Sequence, residues 1–151
     1  MGQRYDTVME LHVRVRRELE RITEDPSCAQ PSVLAGQLEA LMNEEFGALQ
    51  VHAPLMSTED LANLLGSGDR VLVYAQLLQM RAVSTAASGR DEAASRLAKQ
   101  ALELYVHDAV TQGQLALEHN EVEHLRRLML SLPLSTRYDA ALRTLLPQRY
   151  G

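Results

Sequence analysis

Apolar side chains recur every three or four residues through most of the chain, which is the spacing of a helix that buries one face. The pattern is clearest in residues 70–113. The first arm carries Val71, Tyr74, Ala75, Leu78 and Ala82. The second carries Ala94, Leu97, Ala98, Ala101, Leu104 and Tyr105. Ser88-Gly89-Arg90-Asp91 between them predicts a turn, since glycine tolerates positive φ and serine or aspartate can cap a helix. The segment is therefore predicted to be a helical hairpin.

The same spacing predicts further helices on both sides of the hairpin. They are expected near residues 5–23, 32–47, 57–66, 120–132 and 135–146. Pro54 is expected to leave residues 48–56 irregular. Ser57 is expected to cap the helix that follows, and Asp69 to cap the first arm of the hairpin. Asn120 with Glu123 resembles a capping box at the start of the helix after the hairpin. The resulting prediction is a single all-α domain over 1–151. It is a compact antiparallel array of six or seven helices, with an amphipathic N-terminal helix within 1–25.

The hairpin resembles a tetratricopeptide unit. Gly89, Ala94, Ala101 and Leu102 match the glycine, small, alanine and apolar positions of its second half, and Ala82 matches the small position of its first half. Thr85 and Ala98 stand where that family prefers aromatic rings, and the helix-ending proline is missing. Such units usually occur in stacks, and no second copy is evident here.

A larger part of the chain resembles a family of small bacterial all-helical proteins with no assigned activity. The resemblance lies in the first helix, in Leu55-Met56-Ser57-Thr58-Glu59-Asp60-Leu61, in the hairpin, and in Leu132-Pro133-Leu134-Ser135-Thr136-Arg137-Tyr138. It implies an all-helical fold and assigns no catalytic residue. A bacterial source also agrees with the strong preference for arginine, since Lys99 is the only lysine.

Composition narrows the possible functions. The net charge of −5 argues against a nucleic-acid-binding protein, since phosphate contacts need a concentrated basic surface. No apolar run approaches a membrane span or a signal peptide, and the single cysteine, Cys28, is typical of a reducing compartment. The sequence therefore predicts a cytoplasmic protein that acts on neither nucleic acid nor membrane.

Few residues suggest chemistry. Cys28 has no nearby histidine to activate it, and Gly66-Ser67-Gly68 lacks the lysine of a phosphate-binding loop. We expect no enzymatic activity and no cofactor. The alternative is a small metal- or ligand-binding helical protein using His119, Glu121 and His124, because the last two are spaced to share one helix face.

The leading hypothesis is a non-enzymatic protein–protein interaction or self-association module. Its groove is expected along the hairpin, with contributions from Tyr74, Arg81, Lys99, Glu103 and Tyr105. The first helix carries apolar residues on more than one side, which favours a homodimer. The residues expected to mediate self-association are Tyr5, Val8, Leu11, His12, Val15 and Leu19.

Overall fold

Two long helices form the middle of the fold. In the computed structural model, which describes residues 2–146 and their side chains from residue 10 onward, α5 (Gly68–Ala87) packs along α6 (Asp91–Gln112). Gly89, in the turn between them, has a φ of 88°, which a residue with a Cβ adopts only with strain. Both predicted arms are thus helical and packed together. Their likeness to a tetratricopeptide unit stays a prediction.

The remaining helices lie on either side of this pair. They are α1 (Gly2–Glu24), α2 (Pro31–Phe46), α3 (Leu49–His52), α4 (Thr58–Leu65), α7 (His119–Met129) and α8 (Thr136–Leu145). Short 3₁₀ turns occupy Pro26–Ala29 and Ala53–Leu55. The all-α class is confirmed over residues 2–146, which contain no strand, and none of their helices has the length and apolarity to cross a membrane.

The predicted number of six or seven helices is wrong, because the described residues form eight α-helices. The additional one is α3, in the segment expected to be irregular. Pro54 does not disrupt it, because the proline lies in the first turn of the following 3₁₀ segment, where its missing N–H is not needed.

Two apolar clusters pack against the α5–α6 pair. The larger one joins α5 and α6 to α1, α2 and α4 through side chains such as Leu11, Leu38 and Leu61. The smaller one joins them to α7 and α8 through side chains such as Leu102, Leu125 and Leu142. Helices α1 and α2 on the one hand and α7 and α8 on the other therefore each bury an apolar stripe on the hairpin.

Helix α4 begins at the predicted serine, and α5 begins at a different residue from the predicted one. The Ser57 hydroxyl accepts from the Asp60 N–H at 3.2 Å, which confirms the expected cap. At α5 the Ser67 hydroxyl accepts from the Arg70 N–H at 3.2 Å, and Asp69 lies inside the first turn. The predicted cap, Asp69, is therefore wrong, and Ser67, two positions earlier, takes that role.

Helix α7 is capped two residues earlier than predicted. The expected capping box joined Asn120 to Glu123, whereas the observed bond runs from the Glu118 N–H to Glu121 Oε1 at 3.0 Å. Glutamate is a less common cap than asparagine, so residue type alone pointed to the wrong pair.

Candidate binding groove

A groove with a volume of about 580 Å³ runs along one side of α6. That size is typical of ligand-binding clefts. Its long wall consists of α6 side chains between residues 93 and 103. The opposite wall is the segment 54–58 that leads into α4, Arg81 of α5 contributes at one side, and Leu132 lies beside it from the α7–α8 connection.

Side-chain hydrogen bonds hold the 54–58 wall on α6. Gln100 Nε2 donates to the carbonyl oxygen of Ala53 at 3.0 Å, which fixes the 3₁₀ turn. The Thr58 hydroxyl donates to Glu103 Oε1 at 2.8 Å, which fixes the first residue of α4. Both contacts join residues far apart in sequence, so the groove exists only in the folded chain.

Glu103 also anchors α8. Its second oxygen, Oε2, accepts from the Ser135 N–H at 2.9 Å and from the Ser135 hydroxyl at 3.0 Å. The carboxylate is buried, and its three donors come from the starts of two helices, where negative charge is favoured. Glu103 therefore lines the groove, but both of its carboxylate oxygens already accept hydrogen bonds within the fold.

Cationic side chains dominate the charge of the groove. Arg81, Arg96 and Lys99 all line it, and Glu103 is the one carboxylate that does so among the described residues. Burial lowers the pKa of Arg81, and the charge of Glu39 offsets part of that shift. The groove is thus a basic region on a chain whose net charge is −5.

The groove also has apolar walls. Pro54 and Met56 belong to the 54–58 wall and Leu97 belongs to the α6 wall. Leu132 lines the groove from the α7–α8 connection. Leu55, which lies between Pro54 and Met56 in the sequence, has 89% of its surface exposed. The groove can therefore bury apolar groups of a ligand while its cations contact an anionic one.

A second polar cluster lies one turn further along α6. The Tyr138 hydroxyl donates to Glu59 Oε1 at 2.7 Å, and His107 Nδ1 lies 3.1 Å from the same hydroxyl. Because the hydroxyl hydrogen goes to Glu59, the tyrosine oxygen must accept from His107, which places a hydrogen on Nδ1. Arg137 Nη1 completes the cluster 2.8 Å from Glu59 Oε1.

This cluster ties α4, α6 and α8 together. The bond from Tyr138 is the main reason that the pKa of Glu59 lies below its usual value. Burial is the main reason that the pKa of Tyr138 is raised. Glu59, His107 and Tyr138 each form a hydrogen bond with another member of the cluster. Polar side chains that bond to one another in this way form a structural junction between helices.

The five predicted groove residues separate into two groups. Arg81, Lys99 and Glu103 line the groove together. Tyr74 and Tyr105 are 1% and 5% exposed and lie in the core. The Tyr74 hydroxyl donates to Gln50 Oε1, and that of Tyr105 donates to Gln79 Oε1 at 2.8 Å. The two tyrosine side chains are therefore too buried to contact a partner.

The residues predicted for self-association lie on α1. Leu11 and Val15 are buried within the chain, and His12 and Leu19 are partly buried. The side chains of Tyr5 and Val8 lie outside the described residues. Val13 is the large apolar side chain of the described part of α1 that is exposed, at 42%. A homodimer through α1 stays a prediction.

The predicted metal ligands do not converge. His119 Nε2 lies 3.1 Å from Glu123 Oε1 instead of facing Glu121. Both oxygens of Glu121 accept other bonds, from Glu118 N–H and, at 3.3 Å, from Gln79 Nε2. Among residues 10–146 no three histidine, cysteine or acidic side chains are grouped as a metal site would require.

Sequence reasoning missed several groove residues. Arg96, Met56, Leu97 and Leu132 line the groove but were not predicted to do so. Arg96 was recognisable, since it precedes Lys99 by three residues and so shares its helix face. Met56 and Leu132 come from connections whose path along α6 no local pattern indicates.

Comparison of the chain with family models, with curated proteins and with solved structures finds no match.

Proposed function

We propose that this protein is a non-enzymatic binding module that holds a short segment of a partner polypeptide in the groove along α6. The observation that supports this proposal is the lining of the groove, where three cationic side chains lie among apolar ones. In such a lining, the apolar side chains bury apolar groups of a bound polypeptide, and the charged side chains fix its orientation.

The hydrogen bonds that join the walls of the groove support the same proposal. Gln100 and Glu103, both on α6, each hold a part of the opposite wall through a side-chain hydrogen bond. When a wall is already ordered before binding, less conformational entropy is lost as the ligand binds. The groove is thus suited to a flexible ligand that becomes ordered on it.

Selection from a library of short random peptides displayed on phage tests the proposal. The folded protein is the bait, and the Ala93→Trp variant is used for subtraction, because Ala93 lines the groove and a tryptophan there obstructs it. Ala140→Trp, at an exposed position of α8, is the matched control. Circular dichroism establishes that both variants fold.

We expect peptides that are captured by the wild type and by Ala140→Trp and are lost with Ala93→Trp. Failure to enrich any peptide, or equal capture by all three proteins, contradicts the proposal.

A further inference from the structure

Arg81 is a largely buried cation with weak partners. Its side chain is 16% exposed, and its Nη2 lies 4.0 Å from Glu39 Oε2, at the outer limit of an ion pair. The Glu39 side chain is itself 59% exposed. Among the residues whose side chains are described, Nη1 has a single hydrogen-bond partner, the sulfur of Met42 at 3.5 Å. A buried guanidinium normally takes a close, two-pronged partner such as a carboxylate. Arg81, which lines the groove, therefore retains unused capacity to bind an anion.

The other two cations are also available. Lys99 forms no ion pair with any residue whose side chain is described. Arg96 pairs with Glu92 at 3.5 Å, but these side chains are 66% and 88% exposed, so the pair is weak. Glu103 does not neutralise them by direct contact, because its oxygens accept from Thr58 and Ser135.

The net charge of the chain does not cancel this local charge. At physiological salt, charges more than ~8 Å apart are largely screened. An anionic group inside the groove therefore responds mainly to the charges close to it. These are the lining cations and Glu103, together with the exposed carboxylates of Glu39 and Glu92, which lie beside Arg81 and Arg96 and reduce the local positive charge. Carboxylates farther away contribute little.

Apolar surface adjoins the cations. Leu55 is almost fully exposed next to Pro54 and Met56, and Leu97 lies on the same α6 stretch as Lys99. A ligand that complements this lining carries a negative charge with apolar groups on both sides of it. A nucleic acid or a free phosphate supplies the charge but lacks the aliphatic flanks.

We infer that the groove is selective for acidic polypeptide segments, in which an aspartate or glutamate contacts Arg81 and Lys99 and neighbouring aliphatic side chains pack on Met56 and Leu97. This inference rests on the proposed function and specifies its partner. It assigns Arg81 the role of anchor, since its side chain is largely buried and lacks a close anionic partner.

Sequencing the peptides recovered in the phage selection tests this inference separately from the proposed function. Peptides that depend on the groove are expected to be enriched in Asp and Glu beside Leu, Ile, Val or Met. Groove-dependent peptides without acidic enrichment overturn the inference and leave the proposed function standing.

Charge reversal gives the second test, with one selected peptide and its Asp→Asn or Glu→Gln counterpart as fluorescent probes. Lys99→Glu is expected to weaken the acidic peptide at least about tenfold and its amide counterpart much less, because the variant changes attraction to repulsion. Arg17→Glu, at an exposed position of α1, is the control. Equal weakening of both peptides by Lys99→Glu, or equal affinity of both for the wild type, overturns the inference.

Arg81→Met tests the anchor with a side chain of similar length. We expect the affinity for the acidic peptide to fall about tenfold or more and to lose part of its salt dependence. If Arg81→Met does not fold, the peptide-binding measurements with Lys99→Glu still test the inference.

Discussion

The Glu103 carboxylate accepts two hydrogen bonds from Ser135, one from the backbone N–H at 2.9 Å and one from the hydroxyl at 3.0 Å. Its other oxygen accepts from Thr58 at 2.8 Å. One buried side chain of α6 thereby holds the first turns of α4 and α8. These bonds also fix the end of the groove near Leu132, three residues before Ser135.

Substitution of Glu103 is expected to destabilise the protein in a graded order. Glu103→Met leaves Thr58 and Ser135 without their acceptor, which should lower the free energy of unfolding by ~1–3 kcal/mol. Glu103→Gln should cost less, since its amide oxygen can still accept from Ser135 and the Thr58 hydroxyl can reorient to accept.

Urea unfolding measures both variants of Glu103 against Glu92→Met, an exposed position on the same helix, where ~0.5 kcal/mol or less is expected. A Glu103→Met protein as stable as wild type would show that the junction contributes nothing.

Tyr138→Phe should destabilise the protein in a pH-dependent manner. The bond from Tyr138 holds the folded-state pKa of Glu59 below its ordinary value. Glu59 therefore contributes stability above its unfolded-state pKa, and this contribution is lost as the pH falls through the lower, folded-state pKa. The variant should be ~1 kcal/mol less stable than wild type at neutral pH.

We expect the difference between wild type and Tyr138→Phe to narrow as the pH falls below about 4, in the range where Glu59 becomes protonated. Guanidinium unfolding at several pH values measures it. A difference that stays constant with pH contradicts the role given to Glu59.

Two glycines should respond differently to alanine. A Cβ at Gly36, on the exposed side of α2, meets nothing within 4 Å, whereas a Cβ at Gly68 lies 3.0 Å from Asp108 Oδ1. Gly36→Ala should therefore gain up to ~1 kcal/mol from helix propensity. Gly68→Ala should gain nothing or lose stability, because the buried Asp108 side chain has to move.

Thermal unfolding of the two alanine variants compares them directly. A rise in the melting temperature of Gly68→Ala equal to that of Gly36→Ala would mean that Asp108 accommodates the methyl group freely.

Tyr105→Phe should affect stability but not the groove. The hydroxyl of Tyr105 donates to Gln79 inside the fold, so its removal should cost ~1 kcal/mol. Because the ring is buried, the affinity of a groove-binding peptide should not change. Unfolding and fluorescence anisotropy on the same sample check both statements, and reduced affinity in a folded Tyr105→Phe protein contradicts the position given to this side chain.

The hairpin was predictable because its information is local. Residues three and four apart decide which face of α5 or α6 is apolar, and this pattern is visible in the sequence. The groove was only partly predictable, because Glu103 contacts residues 45 and 32 positions away. Tyr74 and Tyr105 illustrate the same limit, since their spacing fits either a core or a groove position. Their burial in the core depends on packing against helices that are distant in the sequence.

The most direct test of the binding groove is chemical-shift mapping by NMR. A peptide from the phage selection is titrated into ¹⁵N-labelled protein, and the amide resonances are followed. The account predicts that the largest shifts fall at residues 54–58, at Arg81 and along 93–103, the segments that line the groove. Shifts confined to α1 or to the outer faces of α7 and α8 would contradict it.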